Sequence, residues 1–243
     1  MRIVGRTEQG KVRSNNEDFF AVDEVIGLAA LADGMGGLNA GEVASARAVD
    51  VVFEAFRRVL RGDLELDFDG RAELLEASVR EANQRVYELG QSRFDYHGMG
   101  TTLVSATICG REVALAHVGD SRAYRFGEHG LRQISTDHSV VQQLVEDGVL
   151  SRDEARRAPN RNIVTRAIGI DVDVDVDVSR LTLTANELVM LCSDGLTDVV
   201  ADADIEGCLQ RCAREPAGLV DSLIEAALDA GGTDNVSVVI LLP

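Results

Sequence analysis

The sequence predicts a layered α+β domain, on three observations. Two long stretches with helical apolar periodicity, residues 41–61 and 71–89, follow one another directly. Three strand-like segments, 101–109, 112–118 and 121–126, then run in succession with tight turns at Gly110 and Gly119, which reads as an antiparallel meander. Strands come in runs interrupted by paired helices, not in the single βαβ alternation of a parallel sheet.

Composition bounds the rest. At 243 residues, 45% of them hydrophobic, with no repeat or low-complexity linker, the chain is expected to form one domain over 1–243. The balance of 24 Lys and Arg against 41 Asp and Glu gives a charge of −17. This opposes nucleic acid and anionic membrane as partners and suits cations or basic protein segments, although solubility alone accounts for most of it. No run reaches the length of a membrane span and the first residues carry no signal h-region, so a cytoplasmic protein is expected. Cys109, Cys192, Cys208 and Cys212 form no CxxC pair and are expected to be reduced, in or near the core. Cys208 and Cys212 have helical spacing, but no histidine lies near them to complete a zinc site.

Each element follows from its own pattern. Residues 19–22 and 28–32 are short apolar runs that read as strands. In the first helix Ala44, Ala48, Val51, Val52, Ala55 and Val59 share a face; in the second, Leu75, Val79, Ala82, Val86 and Leu89 do. Residues 140–150 read as a short helix, and Ser151 to Glu154 has the capping-box pattern of another, so the stretch of about 139–168 is expected to be a flap between strands. Residues 170–178 alternate Asp with Val; without the glycine of a calcium loop, they read as a half-exposed strand with its carboxylates in water. A buried strand at 187–192, helices at 204–212 and 216–230, the second opening on proline and stopping at two glycines, and a last strand at 236–242 complete the chain.

Chemistry collects where apolar strands end. Leu31-Ala32-Asp33-Gly34-Met35-Gly36-Gly37 delivers a carboxylate followed at once by glycines, which let a ligand approach the Gly34 carbonyl. A phosphate-binding loop is excluded because Glu42 and Val43 stand where Lys and Ser or Thr are required, and a dinucleotide fingerprint because Asn39 replaces its third glycine. Asp120, Asp194 and Asp234 occupy equivalent strand-end positions, and Glu17 and Asp18 adjoin another strand. Carboxylates converging on one cleft repel unless cations neutralise them, and all-oxygen ligation without histidine favours magnesium or manganese over zinc.

These residues stand in a recognisable order. Arg13 with Asn16-Glu17-Asp18, then Ala32-Asp33-Gly34-Met35-Gly36-Gly37, Gly98-Met99-Gly100-Thr101-Thr102, His117-Val118-Gly119-Asp120-Ser121-Arg122, Cys192-Ser193-Asp194-Gly195 and Gly232-Thr233-Asp234-Asn235-Val236 span nearly the whole chain. The set resembles the metal-dependent protein phosphatases, the PPM family or type 2C serine/threonine phosphatases, of the compact bacterial kind. Each motif is weak alone; six in order make a chance match very improbable.

The resemblance implies a four-layer α-β-β-α sandwich of two antiparallel sheets, with a binuclear Mn2+ or Mg2+ centre at one edge. It implies that Asp33 bridges the two ions, that Asp194 and Asp234 complete one site, and that Glu17 and the Gly34 carbonyl help hold the other. Asp18 would orient the attacking water, Arg13 would grip the phosphate, and Asp120 would contribute to a third, weaker metal site. Two positions depart from the family pattern: Met35 stands where eukaryotic relatives carry a histidine proposed to protonate the leaving group, and the flap partner of Asp120, near Asn160 to Asn162, is not a carboxylate. The implied function is metal-dependent hydrolysis of phosphoserine and phosphothreonine in proteins, opposing a cognate Ser/Thr kinase. Two rivals are a catalytically silent relative serving as a binding or regulatory module, whose mark would be a lost metal carboxylate, and an acidic cation-binding protein, which leaves Arg13 without a role.

Overall fold

Side-chain alternation along the strands decides what each sheet face meets. The structure, a computed structural model, describes residues 1–36, 40–61, 66–211 and 216–243. Its strands are β1 (Arg2–Glu8), β2 (Asp18–Asp23), β3 (Leu28–Met35), β4 (Gly100–Thr101), β5 (Leu103–Cys109), β6 (Glu112–Val118), β7 (Arg122–Gly127), β8 (Gly130–Gln133), β9 (Asp177–Thr182), β10 (Leu188–Cys192) and β11 (Val236–Leu242). Its helices are α1 (Ala40–Leu60), α2 (Phe68–Ser92), α3 (Val140–Glu146), α4 (Arg152–Arg157), α5 (Asp194–Thr197), α6 (Asp202–Arg211) and α7 (Pro216–Asp229). The strands form two antiparallel sheets, ordered β1-β11-β10-β7-β8 and β2-β3-β5-β6-β9, with β4 added to β3.

Ala29 and Leu31 of β3 meet Val189 and Leu191 of β10 and Val239 and Leu241 of β11 in a core between the sheets. Leu28, Ala30 and Ala32, on the opposite face of β3, pack under α1 and α2 against Ala44, Val52, Leu75 and Val79. Met190 and Cys192 with Val238 and Ile240 pack outward against Leu209 of α6 and Leu223 and Ile224 of α7. The result is the expected α-β-β-α sandwich, in which the central strands are apolar on both faces because each face is covered. The helical stripes are buried as expected, with Val59 and Leu89 only half-buried, and Ser151 and Glu154 form the capping box reciprocally.

Three readings need correction. The meander ends at Gly119: β5 and β6 pair along their length, but β7 leaves for the other sheet and pairs with β10 and β8. Gly119 has φ +106°, and Thr102 lies 2.7 Å from where a Cβ would stand, so the turn takes a path that other residues resist. The crossing brings Asp120 to the edge where the two sheets meet. In the Asp-Val repeat only Asp177 onward is strand, paired to β6. Asp171, Asp173 and Asp175 are in water as expected, but the backbone there is held by side chains of α2. Asn83 Nδ2 donates to the carbonyls of Asp171 and Val172 at 3.0 and 3.1 Å, Asn83 Oδ1 accepts from the Gly169 N–H at 2.8 Å, and Arg80 donates to the Val174 carbonyl at 2.8 Å. Cys109 is exposed, not near-core; Cys192 and Cys208 are buried, and Cys212 lies outside the described residues.

The helix expected over 140–150 stops at Glu146, and β1, β8 and α5 have no counterpart in the sequence reading. β1 mixes charge with apolar residues because it is a sheet edge, yet its ladder with β11 runs from Arg2↔Leu242 to Glu8↔Val236.

Asn83→Ala would leave the buried Gly169 N–H without a partner and free the strap over α2. A loss of about 2 kcal/mol is expected from urea denaturation, whereas Asp173→Asn, on the same strap but in water, should stay within about 0.5 kcal/mol of the parent.

Candidate metal centre

The register of β2 on β3 sets Asp18 directly opposite Asp33. Like charges facing across a ladder destabilise it, so the surrounding structure must hold this arrangement in place. Glu17 does so through its backbone: its carbonyl accepts from the Gly34 N–H at 3.1 Å and from the Ser45 hydroxyl at 2.6 Å. Asp33 is not at the end of its strand, as the sequence suggested, because β4 prolongs the ladder with Gly34↔Thr101 and Met35↔Gly100. The Asp33 N–H donates to the Thr102 hydroxyl at 3.0 Å, and the Asp33 carbonyl accepts from the Thr102 N–H and the Thr101 hydroxyl.

The other carboxylates arrive from the second sheet. Asp194 is the first residue of α5, after β10, and Gly195 behind it lies so close to the Asn235 carbonyl that no Cβ would fit. Asp234 precedes β11 and accepts from the Asn235 N–H at 2.8 Å. Asn235 is the strut of this region: its Nδ2 donates to the Gln9 and Asn15 carbonyls at 2.9 and 2.8 Å, and its Oδ1 accepts from the Glu17 N–H at 2.8 Å. Arg13, on the loop so held, donates to Asp234 at 2.6 Å while its guanidinium stays half-exposed. Gly41 touches both the Glu17 carboxylate and the Gly34 carbonyl carbon, each 2.9 Å from where its Cβ would stand, so a larger residue would fill the space between them.

Electrostatics ties the set together. Burial pushes Asp33 well above the usual carboxylate range, and Asp18, Asp194, Asp120 and Asp234 push it further; Asp194 is raised likewise by burial and then by Asp120, Asp198, Asp234 and Asp18. Asp120 is raised to about 6 by burial, then by Asp137. Burial lifts Asp18 to about 6 against the hydrogen bonds that Ser237 and Ser193 make to its Oδ2, at 2.6 and 2.8 Å. Its buried Oδ1 has no hydrogen-bond partner among the described residues. Arg13 is held charged chiefly by its hydrogen bond to Asp234, with smaller support from the charges of Asp33 and Glu17. The eight residues singled out from the sequence, Arg13, Glu17, Asp18, Asp33, Gly34, Asp120, Asp194 and Asp234, therefore meet at one edge of the sandwich.

Sequence reasoning placed Thr102, Ser193 and Asn235 inside its motifs but assigned them no role as supports, and it missed Ser237, which lies just past the last motif. It also missed Asp198, one helical turn after Asp194, for which the i, i+4 spacing was the available signal. The Asp198 carboxylate takes Asn162 at 3.0 Å and Arg161 at 3.3 Å, so the residues near the expected flap partner of Asp120 bind Asp198 instead.

A second group, His117, His138 and Asp177, brings three potential ligand atoms within 4.8 Å of one another. It is a poor cation site. The two imidazoles are stacked, with centroids 4.8 Å apart and planes 21° apart, so their in-plane lone pairs do not converge. His138 Nδ1 accepts from the Gly119 N–H at 3.1 Å and its Nε2 faces the Arg166 guanidinium at 3.1 Å, where a metal would have to sit. The carboxylate cluster, with a bare buried oxygen, raised pKa values and only oxygen donors, does fit hard divalent cations.

The sequence profile of the family described as Protein phosphatase 2C matches residues 7–223. The chain belongs to that family. The serine/threonine phosphatase stp of Listeria monocytogenes serotype 4b is similar to this phosphatase, 35% identical over 244 residues that cover 99% of this chain and 95% of the relative. The serine/threonine protein phosphatase PstP of Mycobacterium tuberculosis is 38% identical over 99% of this chain and 44% of its own length, and its crystal structure superposes with a TM-score of 0.87 over 98% and 97% of the two chains. The catalytic domain of PstP crystallised in complex with 2 manganese ions has a TM-score of 0.84, with 37% identity over 98% and 96% of the chains. This phosphatase is accordingly an enzyme that acts on phosphoserine and phosphothreonine in proteins, and the reading as a catalytically silent relative loses its ground.

Without metal, each raised carboxylate contributes stability that is fully present below its unfolded pKa of about 3.9 and lost as pH rises through its folded one. For Asp18 and Asp120 that loss is complete by about 6, and Asp33 and Asp194 are shifted in the same direction. The gain in Tm on replacing EDTA by manganese should therefore be small near about pH 5 and grow toward about pH 8. Scanning fluorimetry across that range checks it; a gain independent of pH would show that these carboxylates do not hold the ion.

Proposed function

We propose that this phosphatase hydrolyses its phosphoproteins at the carboxylate cluster, with two Mn2+ or Mg2+ ions held there, and that residues 1–243 act as one catalytic unit with 139–168 as a flap beside it. The observation that carries the reading is the convergence of carboxylates at one edge, Asp18 opposite Asp33 across the ladder with Asp194 and Asp234 beside them, where burial first and the facing carboxylates after it raise Asp33 and Asp194, an arrangement that calls for cations. Asp33, Asp194 and Asp234 would hold one ion, and Asp33, Glu17 and the Gly34 carbonyl the other, with Asp120 at a third, weaker position next to Asp198. When bound, such ions supply Lewis acidity that activates water and neutralises charge on the phosphoryl group.

The chain's own residues supply the rest. Arg13 keeps its charge at every working pH and presents a planar fork to two phosphate oxygens. Asp18 is fixed through Oδ2 by Ser193 and Ser237, which leaves Oδ1 to orient the attacking water. With methionine at position 35, no side chain there can protonate the leaving alkoxide, and the proton must come from solvent inside the centre. Among the described residues no helix is long and apolar enough to cross a membrane. The reading places the enzyme in the cytoplasm, opposing a cognate bacterial Ser/Thr kinase.

Asp33→Asn and Asp234→Asn should each lose manganese affinity and turnover together. Calorimetric titration beside hydrolysis of a phosphothreonine peptide tests this, and full activity of either variant in EDTA would exclude the metal centre. Arg13→Ala should raise KM on the order of tenfold while changing kcat less, since its grip is made in ground and transition states alike. An unchanged KM, together with unchanged inhibition by inorganic phosphate, would remove Arg13 from the site.

A further inference from the structure

A cavity of about 1040 Å³ starts at Asp120 and Asp194 and runs between the β7–β8 hairpin and the segment that holds α3 and α4. Its lining has seven arginines against six carboxylates, a net charge of one positive in a chain that carries −17. Two of the acids, Asp120 and Asp194, belong to the metal centre, so away from that end the lining is more cationic still.

The arginines on the two walls are placed against their own local interest. On the hairpin, Arg125 and Arg132 are directly opposite each other across β7 and β8. On α4, Arg152 and Arg156 are spaced i, i+4 on one face. Both arrangements set like charges side by side and cost stability. In each pair one member is compensated: Arg125 by Glu187 at 2.6 Å and Arg156 by Asp202 at 2.7 Å. Arg132 and Arg152 are exposed and have no carboxylate partner among the described residues, although the chain has acids in excess. Solubility does not call for such placement, because the rest of the surface is strongly anionic.

We propose that this groove docks an extended, anionic segment of the phosphoprotein substrate, with Arg132 and Arg152 receiving acidic or phosphorylated side chains that flank the phosphoresidue at the metal centre. The inference rests on the catalytic reading above and specifies its substrate class. Two open guanidinium groups, one on each wall, suit carboxylate or phosphate equally in charge and favour phosphate through bidentate hydrogen bonding.

The test uses the whole chain with manganese and three phosphothreonine peptides of equal length, flanked by neutral residues, by Asp and Glu, or by a second phosphoserine. An aryl phosphate too small to enter the groove reports on the centre alone. The parent should prefer the anionic peptides by about tenfold in kcat/KM, carried by KM and weakening as salt rises. The Arg132→Gln/Arg152→Gln double variant should lose that preference with its rate on the aryl phosphate unchanged. A preference for both anionic peptides means that charge alone is read, and one confined to the second phosphate means that bidentate recognition is; either supports the groove. A parent without preference, a salt-independent preference, or a preference that survives in the double variant overturns it. Should the parent turn over no substrate at all, the catalytic reading fails on its own. The groove is then judged by fluorescence anisotropy with a labelled acidic peptide carrying plain threonine: a Kd about tenfold weaker in the double variant supports docking, and an equal Kd overturns it.

Discussion

The repulsion among buried carboxylates is the constraint around which the sandwich is built. Asp18 and Asp33 face each other across a ladder, and Asp194, Asp234 and Asp120 close in from the second sheet, so the folded chain holds together charges that would separate if free to do so. Two sheets packed through Leu31, Leu191 and Val239 provide the stiffness for this. An interior packed at crystal-like density cannot relax by small shifts, so carboxylates fixed to its edge stay fixed.

What holds the cluster is mostly neutral. Asn235 binds the 9–17 loop to the start of β11, the hydroxyls of Ser193 and Ser237 grip one oxygen of Asp18, and Thr101 and Thr102 saturate the Asp33 backbone. These groups add no charge of their own, so they position the acids without cancelling them. Cancellation by cations would turn a destabilised edge into a preorganised one, the usual condition for electrostatic catalysis.

The molecule also divides its charge by region. Acids dominate the surface, carboxylates crowd the site, and arginines gather along one cavity that begins at that site. Most of those arginines are tied to carboxylates, such as Arg122 to Asp137 at 2.6 Å and Arg161 to Asp198 at 3.3 Å. The Arg161 pair ties the segment after α4 to the residue that caps α5, and among the described residues two guanidinium groups on the groove walls, Arg132 and Arg152, are left without a carboxylate.

The sequence by itself determined the elements with strong local periodicity and the identity of the acids. The stripes of α1 and α2, the capping box of α4, the proline and glycines that bound α7, and six motifs in order are all written in short stretches of chain, where neighbouring residues carry the information. Tertiary structure decided the rest, because the deciding partner was far away in sequence. Whether the segment after Gly119 continued a meander or crossed to the other sheet depended on β10, some seventy residues on. Whether the Asp-Val repeat joined a ladder depended on the amide of Asn83, which took the backbone groups a strand partner would have used. Whether Asp33 ended its strand depended on Gly100 and Thr101. The roles of Asn235, Ser193 and Ser237 likewise come only from contacts across the fold: a hydrogen bond to a distant backbone leaves no periodic mark on the residue that makes it.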